Sequence, residues 1–190
     1  MIHSANSEPV KLIAKQLRTI KPSKEDLDKI KRRDIYFILD NVLDTYNVGG
    51  IFRLADAIGV KKVFLCGETE TPPNSRIKKA SINTTEWVNW QYFDDTKTAI
   101  GYLRSTTDSL TVVAVEQDTK SLPFTKIAYQ LPIALVVGNE TNGCLRETLE
   151  ECDYIAEIPM WGVNISLNVI ISLGIIAYTM LTKFPANNIK

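Results

Sequence analysis

Three short segments of the sequence combine glycines with polar side chains that can bind anions or form directed hydrogen bonds. They span residues 40–53, 138–143 and 158–168. Each follows an apolar run typical of a buried strand and precedes a helical pattern. In open α/β sheets, ligands bind beyond the carboxyl ends of the strands. These segments are therefore the candidates for a functional site.

The first segment offers an arginine in a helical pattern. The apolar stripe of that helix consists of Ile51, Leu54, Ala55 and Ile58. Arg53 lies off this stripe, one turn beyond Gly49, so that its guanidinium faces open space that suits a phosphate or carboxylate. Asn47 is placed to cap the helix. The alternative is a strand-to-helix turn whose glycines serve packing and whose arginine reaches solvent.

The second segment follows the apolar run 133–137 directly. Gly138 would let backbone amides approach a ligand closely, and Glu140 lies beside it. The alternative is that Asn139, Asn142 and Gly143 only make the turn.

The third segment leads into a long apolar helix. Ser166 or Asn168 could cap this helix, which would explain both residues without a ligand. Apolar residues lie on nearly all sides of the helix, so we expect it to be buried by the core or by a partner chain. Gly174 would allow close approach.

Composition narrows the possible chemistry. His3 is the only histidine, which argues against a Ser-His-Asp triad, a Cys-His pair or a histidine metal site. Cys66, Cys144 and Cys152 form no CxxC pair, which argues against a disulfide framework and favours a reducing compartment. No secretory pattern is present, and the most apolar stretch is too short to cross a bilayer. We therefore expect a cytoplasmic protein without a metal.

The elements that must position these residues alternate between strands and helices. Predicted strands are 35–39, 62–65, 110–115, 133–137 and 154–158, with helices near 48–58, 96–104, 145–151 and 167–181. Nearly continuous apolar strands between helices predict an α/β fold with a mostly parallel sheet covered on both faces.

The charge of the chain is unevenly distributed. Formal net charge is zero, but residues 1–34 carry nine basic and five acidic residues, and residues 35–190 carry 13 and 17. Pro9 and Pro22 divide this arm, and Ser23 with Asp26 resembles a helix start. We expect a basic helical extension over 1–34, one core domain over 35–183 and a tail over 184–190. The arm either grips RNA or is ordinary solvated surface.

Taken together and in this order, the three segments resemble the SpoU (TrmH-like) branch of the SPOUT superfamily of RNA 2′-O-methyltransferases. The motifs are Asn47-Val-Gly49-Gly-Ile-Phe-Arg53-Leu-Ala-Asp56-Ala-Ile-Gly59, then Gly138-Asn139-Glu140 with Gly143, then Ile158-Pro159-Met160 with Gly162 and Ser166-Leu167-Asn168. The run 77–88 resembles the family's linking segment, although Ile82-Asn83-Thr84 stands where a glycine-containing step is usual.

That resemblance implies a deep C-terminal trefoil knot, a bent S-adenosylmethionine bound in it, and an active site completed across a homodimer. It also implies that Arg53 activates the ribose hydroxyl. Because a guanidinium is hard to deprotonate, we prefer that Arg53 binds the adjacent phosphate.

The remaining roles follow from the same resemblance. Asn47 would hold Arg53 or the ribose, and Glu140, Ser166 and Asn168 would shape the nucleotide side of the pocket and orient Arg53 through hydrogen bonds. Cofactor contacts would come from Gly138, Asn139, Ile158, Met160 and Leu167. The substrate would be structured RNA, with tRNA favoured over rRNA. A noncatalytic knotted RNA-binding protein and an unrelated nucleotide-binding α/β enzyme are the rivals, and the latter lacks the expected phosphate-loop motifs.

Overall fold

The structure is a computed structural model, and it describes residues 13–17, 19 and 21–184. Part of the predicted basic extension and most of the predicted C-terminal tail lie outside these residues. His3 also lies outside them. Within the described part of the arm, two short helices precede the core, α1 (Ala14–Leu17) and α2 (Lys24–Asp28). Ser23 caps the start of α2, and its hydroxyl accepts a hydrogen bond from the Asp26 amide, as the sequence predicts.

Seven strands form a single sheet in which every described pairing is parallel, in the order β3-β2-β1-β6-β4-β7-β5. The strands are β1 (Arg33–Asp40), β2 (Val60–Cys66), β3 (Trp90–Phe93), β4 (Thr111–Val115), β5 (Leu122–Pro123), β6 (Ile133–Val137) and β7 (Tyr154–Glu157). The α/β prediction is confirmed. The short strands β3 and β5, which lie at the two sheet edges, were not predicted.

Five further helices cover the two faces of the sheet. They are α3 (Thr45–Ile58), α4 (Ser75–Ser81), α5 (Thr96–Thr106), α6 (Arg146–Glu150) and α7 (Val169–Leu181), with 3-10 turns at Thr84–Glu86 and Phe124–Lys126. One core packs α3, α4 and α7 on one sheet face, and a smaller one packs α5 and α6 on the other. Both faces are covered, because a parallel sheet is apolar on both.

The predicted cap of α3 is wrong. Asp44 occupies that position, because its carboxylate accepts the Tyr46 amide at 2.8 Å and its backbone is extended. Asn47 lies inside the first turn and is buried, with its side chain directed elsewhere. Asp44 and Asn47 are both good capping residues, so side-chain type alone could not separate them. By contrast, Asn168 caps α7 as predicted, accepting from the Ile170 amide at 2.9 Å.

A buried carboxylate fixes the loops at the carboxyl edge of the sheet. Asp40, at the end of β1, is fully buried and accepts the Thr96 hydroxyl at 2.7 Å and the Leu145 amide at 2.9 Å. Hydrogen bonds of this kind offset the desolvation of a buried charge. Asp40 thus joins the end of β1 to the starts of α5 and α6, next to the loop that carries Gly138 and Glu140.

None of the described helices is long and apolar enough to cross a membrane. The deep knot stays a prediction.

Candidate active site

A pocket of about 430 Å³ lies at the carboxyl edge of the sheet. Its walls come from the residues that follow β4, from the 138–143 loop and from residues 158–172. Eight of the ten predicted site residues line it, namely Gly138, Asn139, Glu140, Ile158, Met160, Ser166, Leu167 and Asn168. The volume lies within the range of about 300–1,000 Å³ that small-molecule sites occupy.

Glu140 connects this pocket to the start of α3. Its carboxylate accepts hydrogen bonds from the backbone amides of Leu43 and Asp44, both at 3.1 Å, and from Asn47 Nδ2 at 2.8 Å. Asn168 Nδ2 in turn donates to Asn47 Oδ1 at 3.0 Å. Residues from all three sequence segments therefore form one hydrogen-bonded chain, which we call the Glu140–Asn47–Asn168 chain.

The surroundings of Glu140 favour its ionised form. Partial burial tends to raise the pKa of this carboxyl, but the hydrogen bonds from Asn47, Leu43 and Asp44 outweigh burial, and the pKa falls below its ordinary value. Glu140 is thus an anionic acceptor that orders the neutral amide of Asn47.

The atoms around position 138 leave room only for a glycine. A Cβ at this position would lie 2.2 Å from the Cys144 nitrogen and 2.2 Å from the Gly143 carbonyl carbon, both backbone atoms. Asn139 and Gly143 exchange backbone hydrogen bonds at 3.0 and 2.9 Å, which closes the loop on itself. The Asn139 side chain donates to the Asn41 carbonyl and accepts the Thr141 and Asn142 amides, so it holds the loop's shape.

Arg53 and Ser166 stand apart from the hydrogen-bonded chain. Arg53 is exposed on α3, and neither its guanidinium nor the Ser166 hydroxyl makes a hydrogen bond or ion pair with any residue that the structure describes. Arg53 is absent from the residues that line the pocket, as is the buried Asn47. A guanidinium that is free of carboxylates can accept an external anion.

Several residues that line the pocket were not predicted from the sequence, among them Glu116 and Gln117. Glu116 and Gln117 follow β4; Glu116 accepts the Cys144 amide at 2.9 Å, and Gln117 Nε2 donates to the Ile165 carbonyl at 2.5 Å. The strand-end rule that singled out the other segments also applies to 110–115, but no glycine motif marks this loop.

An exposed apolar face adjoins the pocket. It comprises Trp161, Val163, Ile165, Ile171 and Tyr178, of which Trp161 is 92% and Val163 102% exposed. One side of helix α7 is buried in the core through Leu173, Ile176, Ala177, Met180 and Leu181. Its other side is exposed within this chain, so the core accounts for only part of the burial that the apolar sequence predicts. Large exposed apolar side chains in such number are typical of an interaction surface.

The geometry and the sequence together define the family. The model of the SpoU rRNA methylase family matches residues 34–178. The chain therefore belongs to the SpoU rRNA methylase family, which confirms the resemblance drawn from the three motifs.

Individual relatives agree with this assignment. The tRNA (guanosine(18)-2'-O)-methyltransferase of Aquifex aeolicus is 31% identical over 167 residues, covering 85% of this chain and 74% of the relative. The 23S rRNA (guanosine-2'-O-)-methyltransferase RlmB of Coxiella burnetii is 30% identical over 155 residues, covering 80% of this chain. The chain spans only 61% of that second protein's length.

Solved structures show the same architecture. The A. aeolicus TrmH/SpoU tRNA modifying enzyme superposes with a TM-score of 0.73 at 27% identity, covering 90% of this chain and 81% of that one. The AdoMet-bound rRNA methyltransferase of Sinorhizobium meliloti also gives a TM-score of 0.73, at 28% identity, and covers 89% of this chain and 60% of that one.

Proposed function

We propose that this protein transfers a methyl group from S-adenosylmethionine to a ribose 2′-hydroxyl of structured RNA. The observation that carries the proposal is the Glu140–Asn47–Asn168 chain, which joins all three family motifs beside a pocket of small-molecule size. A noncatalytic RNA-binding protein would have no need of such a pocket.

The pocket residues fit the cofactor. Gly138 lets the 138–143 loop close tightly on its own backbone and so form one wall of the pocket, while Ile158, Met160 and Leu167 supply apolar surface for an adenine ring. Asn139 shapes the loop that carries these backbone groups. When bound, S-adenosylmethionine supplies an electrophilic methyl group; the protein holds it and excludes water.

Arg53 positions the nucleotide in this proposal. Its guanidinium is exposed and unpaired among the described residues, so it is available for the phosphate next to the target ribose. A guanidinium stays protonated at any physiological pH, and we assign it an anchoring role in which the bound phosphate helps to accept the hydroxyl proton. Methyl transfer requires the hydroxyl oxygen in line with the methyl group, so this anchoring sets the rate.

The remaining predicted residues support this geometry. Glu140 accepts a hydrogen bond from Asn47, and Asn47 accepts one from Asn168. These three residues therefore fix the start of α3 against the start of α7. The exposed hydroxyl of Ser166, in the loop before α7, faces the nucleotide side in this assignment. These side chains orient the substrate and do not react with it.

We further propose that the enzyme is a homodimer whose protomers cover each other's exposed apolar face, and that its C-terminal region forms the family's deep knot. Ile171 is 52% and Tyr178 53% exposed on α7. Full burial of a large apolar side chain is worth about 1.5–3 kcal/mol, so covering the exposed half of each residue contributes about half of that. Ile171→Asp should therefore yield monomers in sedimentation velocity, whereas Ala57→Asp, at an exposed α3 position, should leave the oligomeric state unchanged.

The substrate is tRNA in preference to rRNA, with guanosine ribose methylation known for relatives of both kinds. The preference for tRNA rests on coverage: this chain spans 74% of the Aquifex aeolicus tRNA enzyme but 61% of the Coxiella burnetii rRNA enzyme. The arm would add phosphate contacts outside the pocket. Three free cysteines suit action in the cytoplasm.

Labelled methyl incorporation into unmodified tRNA and rRNA, with the product mapped by mass, tests the function. Wild type should label a ribose in one pool, and Arg53→Ala should lose at least about 100-fold in rate, as expected for a lost orienting contact. Arg104→Ala, on the opposite sheet face, is the matched control. Failure of the wild type to bind S-adenosylmethionine would overturn the assignment.

A further inference from the structure

The two faces of the sheet differ in charge. The loops and helices of the α5–α6 side, residues 94–109 and 145–153, contain seven acidic and three basic residues. On the α3–α4 side, residues 71–85, which include α4, contain three basic residues and no acidic one, with Glu70 and Glu86 on either side. A polyanion is therefore repelled by the α5–α6 side and attracted locally at α4.

Helix α4 presents its cations to solvent. Ile77 and Ser81 are buried against the core, while Arg76, Lys78 and Lys79 are exposed. Lys78 pairs with Glu86 at 3.2 Å, but Arg76 and Lys79 make no ion pair with any residue that the structure describes. Two cations on one short helix are thus available to an external partner.

The basic arm is docked beside α4. Asn83 Nδ2 donates to the Leu17 carbonyl at 2.8 Å, and Lys21 pairs with Glu86 at 2.5 Å. The pairing with Lys21, assisted by Lys78, lowers the pKa of Glu86, so this carboxylate is ionised and neutralised by two lysines. Glu86 therefore joins the arm to α4 without leaving an uncompensated acidic charge between them.

This surface continues toward Arg53. Gly49 on α3 packs directly on α4, since a Cβ there would lie 2.5 Å from Ala80 Cβ. Arg53 follows Gly49 by one turn, about 6 Å along the helix. The exposed cations of the arm and α4 therefore lie on the same side of the molecule as the residue proposed to anchor the target phosphate.

We infer that α4 and the docked arm form one continuous RNA-binding surface, the α4–arm surface, in which Arg76 and Lys79 contact phosphates flanking the methylated nucleotide. Its other exposed cations are Lys15, Lys21, Lys24, Lys29, Lys31 and Lys78, of which Lys21 and Lys78 pair with Glu86 and Lys29 pairs with Asp26. The inference rests on RNA being the substrate. It assigns an RNA contact to a helix outside the three motifs, and it makes the position of the arm depend on Asn83 and Glu86.

The experiment compares charge-reversal variants that change net charge equally. The test protein is the full chain with Arg76→Glu and Lys79→Glu, and the control carries Lys120→Glu and Lys126→Glu, two exposed lysines beside the opposite edge strand β5. Binding to unmodified tRNA and rRNA transcripts is measured between about 50 and 200 mM KCl, where phosphate contacts dominate the salt dependence. Calorimetric binding of S-adenosylmethionine reports whether each variant keeps its fold.

The α4 variant should bind RNA at least about tenfold more weakly at low salt, and the slope of log affinity against log salt should fall in magnitude by about 2, one unit for each lost phosphate contact. The control should match wild type, and Arg76→Ala with Lys79→Ala should show a smaller loss of the same kind. If wild type methylates RNA and both variants bind RNA equally well, the α4–arm surface is not an RNA-binding surface. The proposed function would still stand in that case. If wild type neither binds nor methylates either RNA, the proposed function itself fails.

Discussion

The two loops that enclose the pocket are held in very different ways. The 138–143 loop is closed by reciprocal backbone hydrogen bonds, by the Asn139 side chain and by the Glu140 carboxylate. The 159–167 loop is exposed along most of its length, and a single hydrogen bond from elsewhere in the described chain, Gln117 to Ile165, holds it. One wall of the pocket is therefore preorganised by the protomer itself, and the other depends on what binds against it.

The largest expected effect compares a glycine in each loop. Gly138→Ala places a Cβ 2.2 Å from backbone atoms that cannot rotate away, so the loop must shift. We expect the free energy of unfolding to fall by about 2–3 kcal/mol, near the upper end for overpacking. Gly162→Ala meets nothing within 4 Å. It should leave stability unchanged or raise it by up to about 1 kcal/mol, through the unfolded chain.

Urea unfolding of both variants measures the difference, with S-adenosylmethionine affinity as a second readout. Gly138→Ala should weaken cofactor binding because its loop forms the pocket wall. Equal stability losses in the two variants would contradict the contrast between a fixed and an open loop.

A smaller effect follows from Glu140. Replacing Glu140 with Gln places an amide NH₂ opposite backbone N–H groups. The carboxylate accepts hydrogen bonds from these groups, and the NH₂ cannot. Since the side chain is substantially exposed, we expect a loss of only about 1 kcal/mol at neutral pH.

The same replacement should alter the acid limb of the stability profile. The pKa of Glu140 is lowered in the fold. Its contribution is therefore fully present above the ordinary pKa of about 4.5 and is lost as pH falls through the folded value. Urea unfolding at a series of pH values should show wild type and Glu140→Gln converging below pH about 4.5. Glu147→Gln, at an exposed position on α6, is the matched control for loss of a carboxylate.

The contrast between the loops also explains what the sequence could predict. Strand β6 was predicted with its true bounds, because burial on both faces leaves an unbroken apolar run. The edge strands β3 and β5 carry exposed or partly exposed residues, so their patterns resemble loops. A strand at the edge of a sheet is not buried on both faces. Its sequence therefore lacks the unbroken apolar run that identifies an inner strand.

The site was predictable where a motif marks it. Glycines at strand ends identified Gly138 and its neighbours, but they could not show that Asn47 bonds to Glu140 rather than capping its helix, since that contact joins residues 93 positions apart. Gln117 was missed because its hydrogen-bond partner is the Ile165 carbonyl, and a backbone acceptor has no sequence signature.

Gln117 gives the smallest and most specific prediction. Gln117→Ala removes the bond that holds the open loop but leaves the core untouched, since the side chain is exposed. We expect stability to change by less than about 0.5 kcal/mol, while S-adenosylmethionine affinity falls several-fold because the loop must be ordered on binding. Calorimetry and urea unfolding together separate these effects. Gln130→Ala, another exposed glutamine, should change neither. An unchanged affinity in Gln117→Ala would mean that the loop's conformation is set without this bond, by the ligand or by a second protomer.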